Sequence, residues 1–152
     1  MDHEDWLRSH VERCLEDGLD ICRAMQDPDG DYPFREKTAA YFVSIDGSGD
    51  IGKVKVWSPV VRGVKSNAKL LKELNDVNKR ITLGRMYHGC GDVMLEQVMP
   101  PSAVTTESLA LTCHCIANVA ADVGPMIAAV YGGSTFFDSD EDEDVADGRA
   151  TG

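Results

Sequence analysis

Along the first part of the chain the apolar residues Leu7, Val11, Cys14, Ile21, Cys22 and Met25 recur at helical spacing, with Glu4 and Asp5 near the positive end of the helix dipole. The spacing predicts an amphipathic helix over 4–26, stopped by Asp27-Pro28, since a residue before proline is driven out of helical geometry. Gly18 lies within the apolar stripe, where it costs roughly 1 kcal/mol of helix propensity against alanine. A glycine there marks a close approach by another element.

The period then changes from 3.6 to 2. Over 38–46, Ala39, Tyr41, Val43 and Ile45 alternate with Ala40, Phe42, Ser44 and Asp46, and the first set should face the core. The turn Gly47-Ser48-Gly49-Asp50 leads to a partner strand over 51–57, giving a hairpin. Ser66 is the expected N-cap of a second helix, striped by Leu70, Leu71, Leu74 and Val77 and ending near Ile81. Strand-like runs at 81–87 and 93–99 flank a turn over 88–92, and Pro100-Pro101 ends the second run. After Thr105 or Thr106 as N-cap comes the longest periodic segment: Leu109, Cys113, Ile116, Ala120, Val123, Ile127 and Val130, spaced alternately by four and three. Such a seam serves either packing on the sheet or contact with a second copy. Beside it run Ala110, His114, Ala117, Ala121, Gly124 and Ala128, most of them small enough for close approach. Gly132-Gly133 supplies the stop. The order α-βββ-α-ββ(β)-α predicts the α+β class: a central antiparallel sheet flanked by helices on one face.

Charge changes the picture at one end only. The chain of 152 residues carries −11, but its last fifteen residues hold seven acids against Arg149, a net of −6, which leaves −5 on the other 137. Segment 138–152 has almost nothing apolar and should be a disordered acidic tail, so the folded domain is expected to span 1–137. A body without a basic surplus argues against nucleic acid and against anionic membrane surfaces as partners. No run approaches the eighteen or so apolar residues of a spanning helix, and the start Met-Asp-His-Glu-Asp lacks the basic character of a signal peptide. Five cysteines without repeated spacing fit a reducing compartment, so a cytoplasmic location is expected.

Several features taken together resemble the YbjN-like proteins and their relatives among the type III secretion chaperones. They are a first helix before Asp29-Gly30-Asp31-Tyr32-Pro33-Phe34, the run Leu74-Asn75-Asp76-Val77-Asn78 late in the second helix, Gly84-Arg85-Met86-Tyr87 on a strand, and a long last helix closing on Tyr131-Gly132-Gly133. The resemblance covers roughly residues 4–137. It implies an α+β fold with a central antiparallel sheet, a tendency to form homodimers, and binding of extended or partly unfolded polypeptide without enzymatic activity or cofactor. The peptide-binding residues expected on this reading are Trp57, Asn75, Asn78, Arg85 and Tyr87. The amides of Asn75 and Asn78 suit a peptide backbone, against the plainer reading that they cap the helix and tie down the following loop. Trp57 and Tyr87, with Met86, Met94 and Met99, suit an adaptable apolar surface, against the reading that most are core.

Candidate chemistry is thin. Cys113-His114-Cys115 and His88-Gly89-Cys90 would supply soft metal ligands, but Cys113 and Cys115 point about 200° apart on a helix, and zinc draws mostly on Cys-x-x-Cys pairs, which the chain lacks. His10 and Cys14, four apart, make two ligands of an incomplete set. Asp27-Pro28-Asp29-Gly30-Asp31 has its glycine two positions early for a calcium loop and Thr38 where the bidentate Glu belongs. Cys90 near His88 sits on an expected hairpin tip that holds no catalytic geometry. No metal and no catalytic residue is expected. The readings that remain are a polypeptide-binding module of chaperone type, a regulatory domain acting through one defined protein partner, and a small zinc or thiol protein.

Overall fold

The computed structural model describes residues 2–49 and 51–137. The order is α1 (His3–Gly18), β1 (Tyr32–Glu36), β2 (Ala39–Asp46), β3 (Lys53–Val61), α2 (Ala68–Arg80), β4 (Arg85–Gly89), β5 (Asp92–Met99), a 3-10 turn at Pro101–Ala103, and α3 (Thr106–Tyr131). The five strands form one antiparallel sheet in the order β1-β2-β3-β5-β4. The expected acidic tail, 138–152, lies outside the described residues.

Helix α1 stops at Gly18, eight residues before the expected end. Asp20 takes φ +54°, a left-handed conformation that breaks the helical ladder. The apolar residues beyond belong to an irregular segment: Cys22 and Met25 are exposed, while buried Ala24 is held by its N–H donating to the Glu16 carboxylate at 3.1 Å. The close approach expected at Gly18 is real, and its neighbour is α3, where an added Cβ would lie 2.9 Å from the Thr106 carbonyl oxygen and 3.0 Å from the Ala110 Cβ.

Strand β3 runs past Trp57 to Val61, through Pro59. A proline is tolerated in this inner strand because the β3–β5 register shifts between Pro59 and Val61, and because buried Ser58 donates its hydroxyl to the Ala40 carbonyl at 2.6 Å. The N-cap of α2 is Asn67 rather than Ser66; its side chain accepts from the Leu70 N–H. β4 begins only at Arg85, after Gly84 at φ +100°, and its hairpin with β5 turns on Cys90 and Gly91, both at positive φ, instead of the wider loop expected.

Helix α3 covers one face of the sheet. Thr105 caps it, and Ser108 completes a reciprocal capping box. The expected seam is used within the chain: Leu109, Cys113, Ile116, Ala120 and Ile127 are buried against the sheet and α1, while Val130 is exposed. Each large apolar side chain so buried contributes about 1.5–3 kcal/mol. By length and composition α3 could cross a membrane, but its apolar stripe is spent on this core. Leu7, Val11 and Leu15 of α1 and Leu70, Leu74 and Val77 of α2 join the same cluster, so the three helices share one side and, among the described residues, the other side of the sheet carries no helix.

Candidate functional site

The register places one transverse row of residues across that open face. Pro33 of β1 pairs with Phe42 of β2, Phe42 with Trp57 of β3, Trp57 with Glu96 of β5, and Glu96 with Arg85 of β4. Alternation along the strands adds Ser44, Lys55, Pro59, Met94, Val98 and Tyr87 to this face.

The half over β1 to β3 is aromatic. Phe42 and Trp57 stack with ring centroids 4.6 Å apart. The Trp57 indole N–H donates to the Ser44 hydroxyl at 2.7 Å, which satisfies its one polar atom and fixes the ring's direction. The half over β5 and β4 is charged and centres on Glu96, whose side chain is only 7% exposed although it points away from the helices. The Arg85 guanidinium donates to Glu96 through Nε at 2.9 Å and through Nη2, the Tyr87 hydroxyl donates to the second carboxylate oxygen at 3.1 Å, and Lys55 Nζ lies 4.0 Å from it. Burial pushes the Glu96 carboxyl up, but the hydrogen bonds from Arg85 and Tyr87 and the charges of Arg85 and Lys55 pull further the other way, and it is held below the usual carboxylate range. Burial, and then Glu96 itself, raises Tyr87. A shallow cleft of about 410 Å³ opens here, lined by Gly84, Arg85, Glu96, Gln97 and Val98.

Of the five expected peptide-binding residues, Trp57, Arg85 and Tyr87 therefore gather on one face, Arg85 and Tyr87 hydrogen-bonded to Glu96 and Trp57 beside it in register. Asn75 and Asn78 lie elsewhere, on α2. Asn75 is exposed. Asn78 reaches the edge strand β4, donating to the Met86 carbonyl at 2.9 Å and accepting from the Met86 N–H at 2.7 Å. It thus ties down the segment after its helix and occupies main-chain groups that an added strand would need. At the opposite edge, Pro33 of β1 has no N–H to offer. Phe42, Ser44 and Glu96 were not among the expected residues. Phe42 and Ser44 sit on the polar phase of an alternating strand, and a lone Phe there was the available signal.

The metal and thiol candidates have other partners. Cys113 is fully buried and burial pushes its thiol up to about 12, whereas Cys115, two residues on, is turned partly outward. His10 Nε2 lies 2.7 Å from the Val104 carbonyl oxygen and 3.7 Å from the Cys14 sulfur. His88 Nε2 lies 2.7 Å from the Val64 carbonyl oxygen, while Cys90 is exposed on the hairpin tip. Asp27 turns its side chain onto its own loop, accepting from the N–H groups of Asp29 and Asp31 at 2.9 and 3.0 Å. That is a turn, as the spacing implied. Among the described residues no three His, Cys, Asp or Glu side chains converge as a metal set.

The fold is thus an antiparallel sheet covered by helices on one side, with aromatic and charged groups across the other. The family described as T3SS (YopN, CesT) and YbjN peptide-binding chaperone 1 matches residues 5–139, and the chain belongs to that family. Two complexes are among the solved structures that share the fold. The ExsC-ExsE complex superposes with a TM-score of 0.59 at 12% identity, over 86% of this chain and 97% of that one. The HopA1-SchA chaperone-effector complex gives 0.59 and 12%, over 79% and 94%. No match was found among curated proteins.

Proposed function

We propose that this chain is a non-enzymatic chaperone of the cytoplasm that holds an extended segment of another polypeptide across the open face of its sheet. The observation that carries the reading is the row Phe42–Trp57–Glu96–Arg85, which sets an aromatic platform beside a fixed ion pair with no helix of the described residues over either. An extended client turns alternate side chains toward such a surface. Apolar ones meet Phe42 and Trp57, and polar ones meet Arg85, Tyr87 and Lys55. Strand addition is the less favoured contact, because a client at β4 must first displace Asn78 from Met86. Family membership supports peptide as the ligand, and the two neighbours of the same fold are each complexes. We include a homodimer in the reading. Since most of the α3 seam is consumed inside the chain, the contact would use the apolar residues that α3 leaves exposed, Leu111, Met126 and the seam's last member Val130.

The test is capture from native lysate by the full chain and by a Trp57→Ser/Tyr87→Ser variant, with mass spectrometry of what is retained. A stoichiometric polypeptide bound by the first and lost by the second, with circular dichroism unchanged, supports the reading. Equal capture by both removes the open face as the site, and capture of nothing, with stoichiometric zinc instead, returns the chain to the metal alternative.

A further inference from the structure

One part of the open face is already filled by the chain itself. After α3, Gly132 and Gly133 both take φ +86° and redirect the backbone around the end of β3. Ser134 then pairs with Arg62 in a two-bond antiparallel bridge, N–H to carbonyl in both directions, at 2.8 and 2.9 Å. The approach depends on glycine, since a Cβ at position 133 would stand 2.5 Å from the Arg62 carbonyl oxygen. Residues 134–137 continue as a strap over the sheet. Phe136 lies edge-on to Phe42 with centroids 6.2 Å apart, and Phe137 packs against Phe136 at 4.9 Å. An arginine covers each ring: Arg62 stands 4.6 Å from the Phe136 centroid and Arg35 stands 3.8 Å from that of Phe137. The strap is fastened at its far end by the Phe137 N–H donating to the Thr38 carbonyl at 3.1 Å. Between the strap rings and the sheet lies a cleft of about 290 Å³, lined by Pro33, Phe34, Arg35, Ala40, Phe42 and the rings of Phe136 and Phe137.

We propose that Phe42, Arg35 and Arg62 form a receptor for a peptide bearing two adjacent aromatic residues, and that residues 134–137 are its built-in occupant. The chemistry of the occupant is read from the strap: two rings in succession, bound through their faces by cations and through their backbone at both ends. Because Phe42 also stacks on Trp57, the receptor adjoins the platform assigned to the client, and the inference deepens that reading by giving the platform an internal competitor. A tethered occupant acts at the high effective concentration of a short connection, so a free peptide of equal intrinsic affinity binds only weakly while the strap is in place.

The experiment uses the full chain and a fluorescein-labelled peptide with the sequence of residues 131–141, read by anisotropy. The Phe136→Ser/Phe137→Ser chain is expected to bind the peptide at least roughly tenfold more tightly than the unsubstituted chain, following the loss of the tethered competitor. Adding Phe42→Ser to that variant is expected to abolish binding, as is replacing both phenylalanines of the peptide by serine. The proposal is overturned if the double-serine chain, folded by circular dichroism, binds the peptide no more tightly, or if Phe42→Ser leaves binding intact. It is also overturned if the unsubstituted chain forms a concentration-dependent dimer that the double-serine variant dissolves, since the strap then belongs to a neighbouring copy. Peptide binding without client capture sinks only the chaperone reading, and client capture without peptide binding sinks only the strap.

Discussion

The carboxamide of Asn78 holds Met86 by both of its backbone groups, standing where the next strand of the sheet would stand. A sheet edge left open is a template for pairing with any other chain, and here one side chain from the neighbouring helix closes part of it. Asn78→Ala should therefore do two things at once. It should lower stability by about 1–3 kcal/mol, since two main-chain groups lose their partner, and it should raise the tendency to self-associate. Urea unfolding and sedimentation velocity measure the two effects separately. A variant with unchanged stability would mean that water replaces the amide without loss.

Glu96 gives a pH dependence of defined sign. Its native carboxyl is held below the usual range, while in the unfolded chain it ionises near the ordinary value of about 4.3. The stabilisation is thus complete above that value and disappears as the pH falls through the lower native one. Glu96→Gln should cost about 1–2 kcal/mol at pH 7, and the gap between variant and parent should close in acid. A gap of the same size at pH 7 and at pH 3, by thermal unfolding, would contradict the network drawn around Arg85.

At Gly18 local preference and packing pull in opposite directions. Alanine gains roughly 1 kcal/mol of helix propensity, but its Cβ would meet the Thr106 carbonyl oxygen at 2.9 Å and Ala110 at 3.0 Å. Backbone yields poorly, so overpacking should win by about 1–3 kcal/mol, and Gly18→Ala should unfold at a lower temperature than the parent chain.

The cysteines should divide by accessibility. Cys22 and Cys90 are exposed and should react with an aromatic disulfide reagent within the mixing time, Cys90→Ser removing one of the fast equivalents. Cys14 and Cys113 are buried, and burial raises both thiols, so they should wait for denaturant. Fast labelling of Cys113 in the folded chain would show that α3 opens easily.

Much of this architecture was legible because local signals agreed with the global fold. The alternation in β2, the Thr105 cap and the seam from Leu109 to Ile127 each pointed the same way. Where reading failed, tertiary contacts had overruled a pattern. The helical spacing of Ile21, Cys22 and Met25 continues past Gly18, but Asp20 has already left helical geometry, and nothing in the spacing marks it. The second strand was expected to stop at Trp57, yet β3 runs on through Pro59, which the bulge and the Ser58 hydroxyl accommodate. The candidate site was half legible. Trp57, Arg85 and Tyr87 were named as separate residues, but it is the register that sets Glu96 between Trp57 and Arg85, and register depends on pairings that no window of sequence contains. The aromatic pair Phe136-Phe137 follows a helix stop, in a place where a sequence gives no reason to look for a ligand.

The strand order carries a consequence for how the molecule is made. β3 pairs with β5, so the sheet cannot be completed in the order in which it is synthesised: α2 and β4 must emerge, and β5 must insert beside β3, before the middle exists. The apolar side of that sheet then lacks much of its cover until α3, which follows every strand in the described chain, swings back over strands that left the ribosome long before. Such a chain has few stable partial structures to rest in and must close its longest loops late, which favours slow, all-or-none folding with apolar surface exposed in the interval. A chain proposed to shield unfolded segments of its partners passes through its own vulnerable interval first.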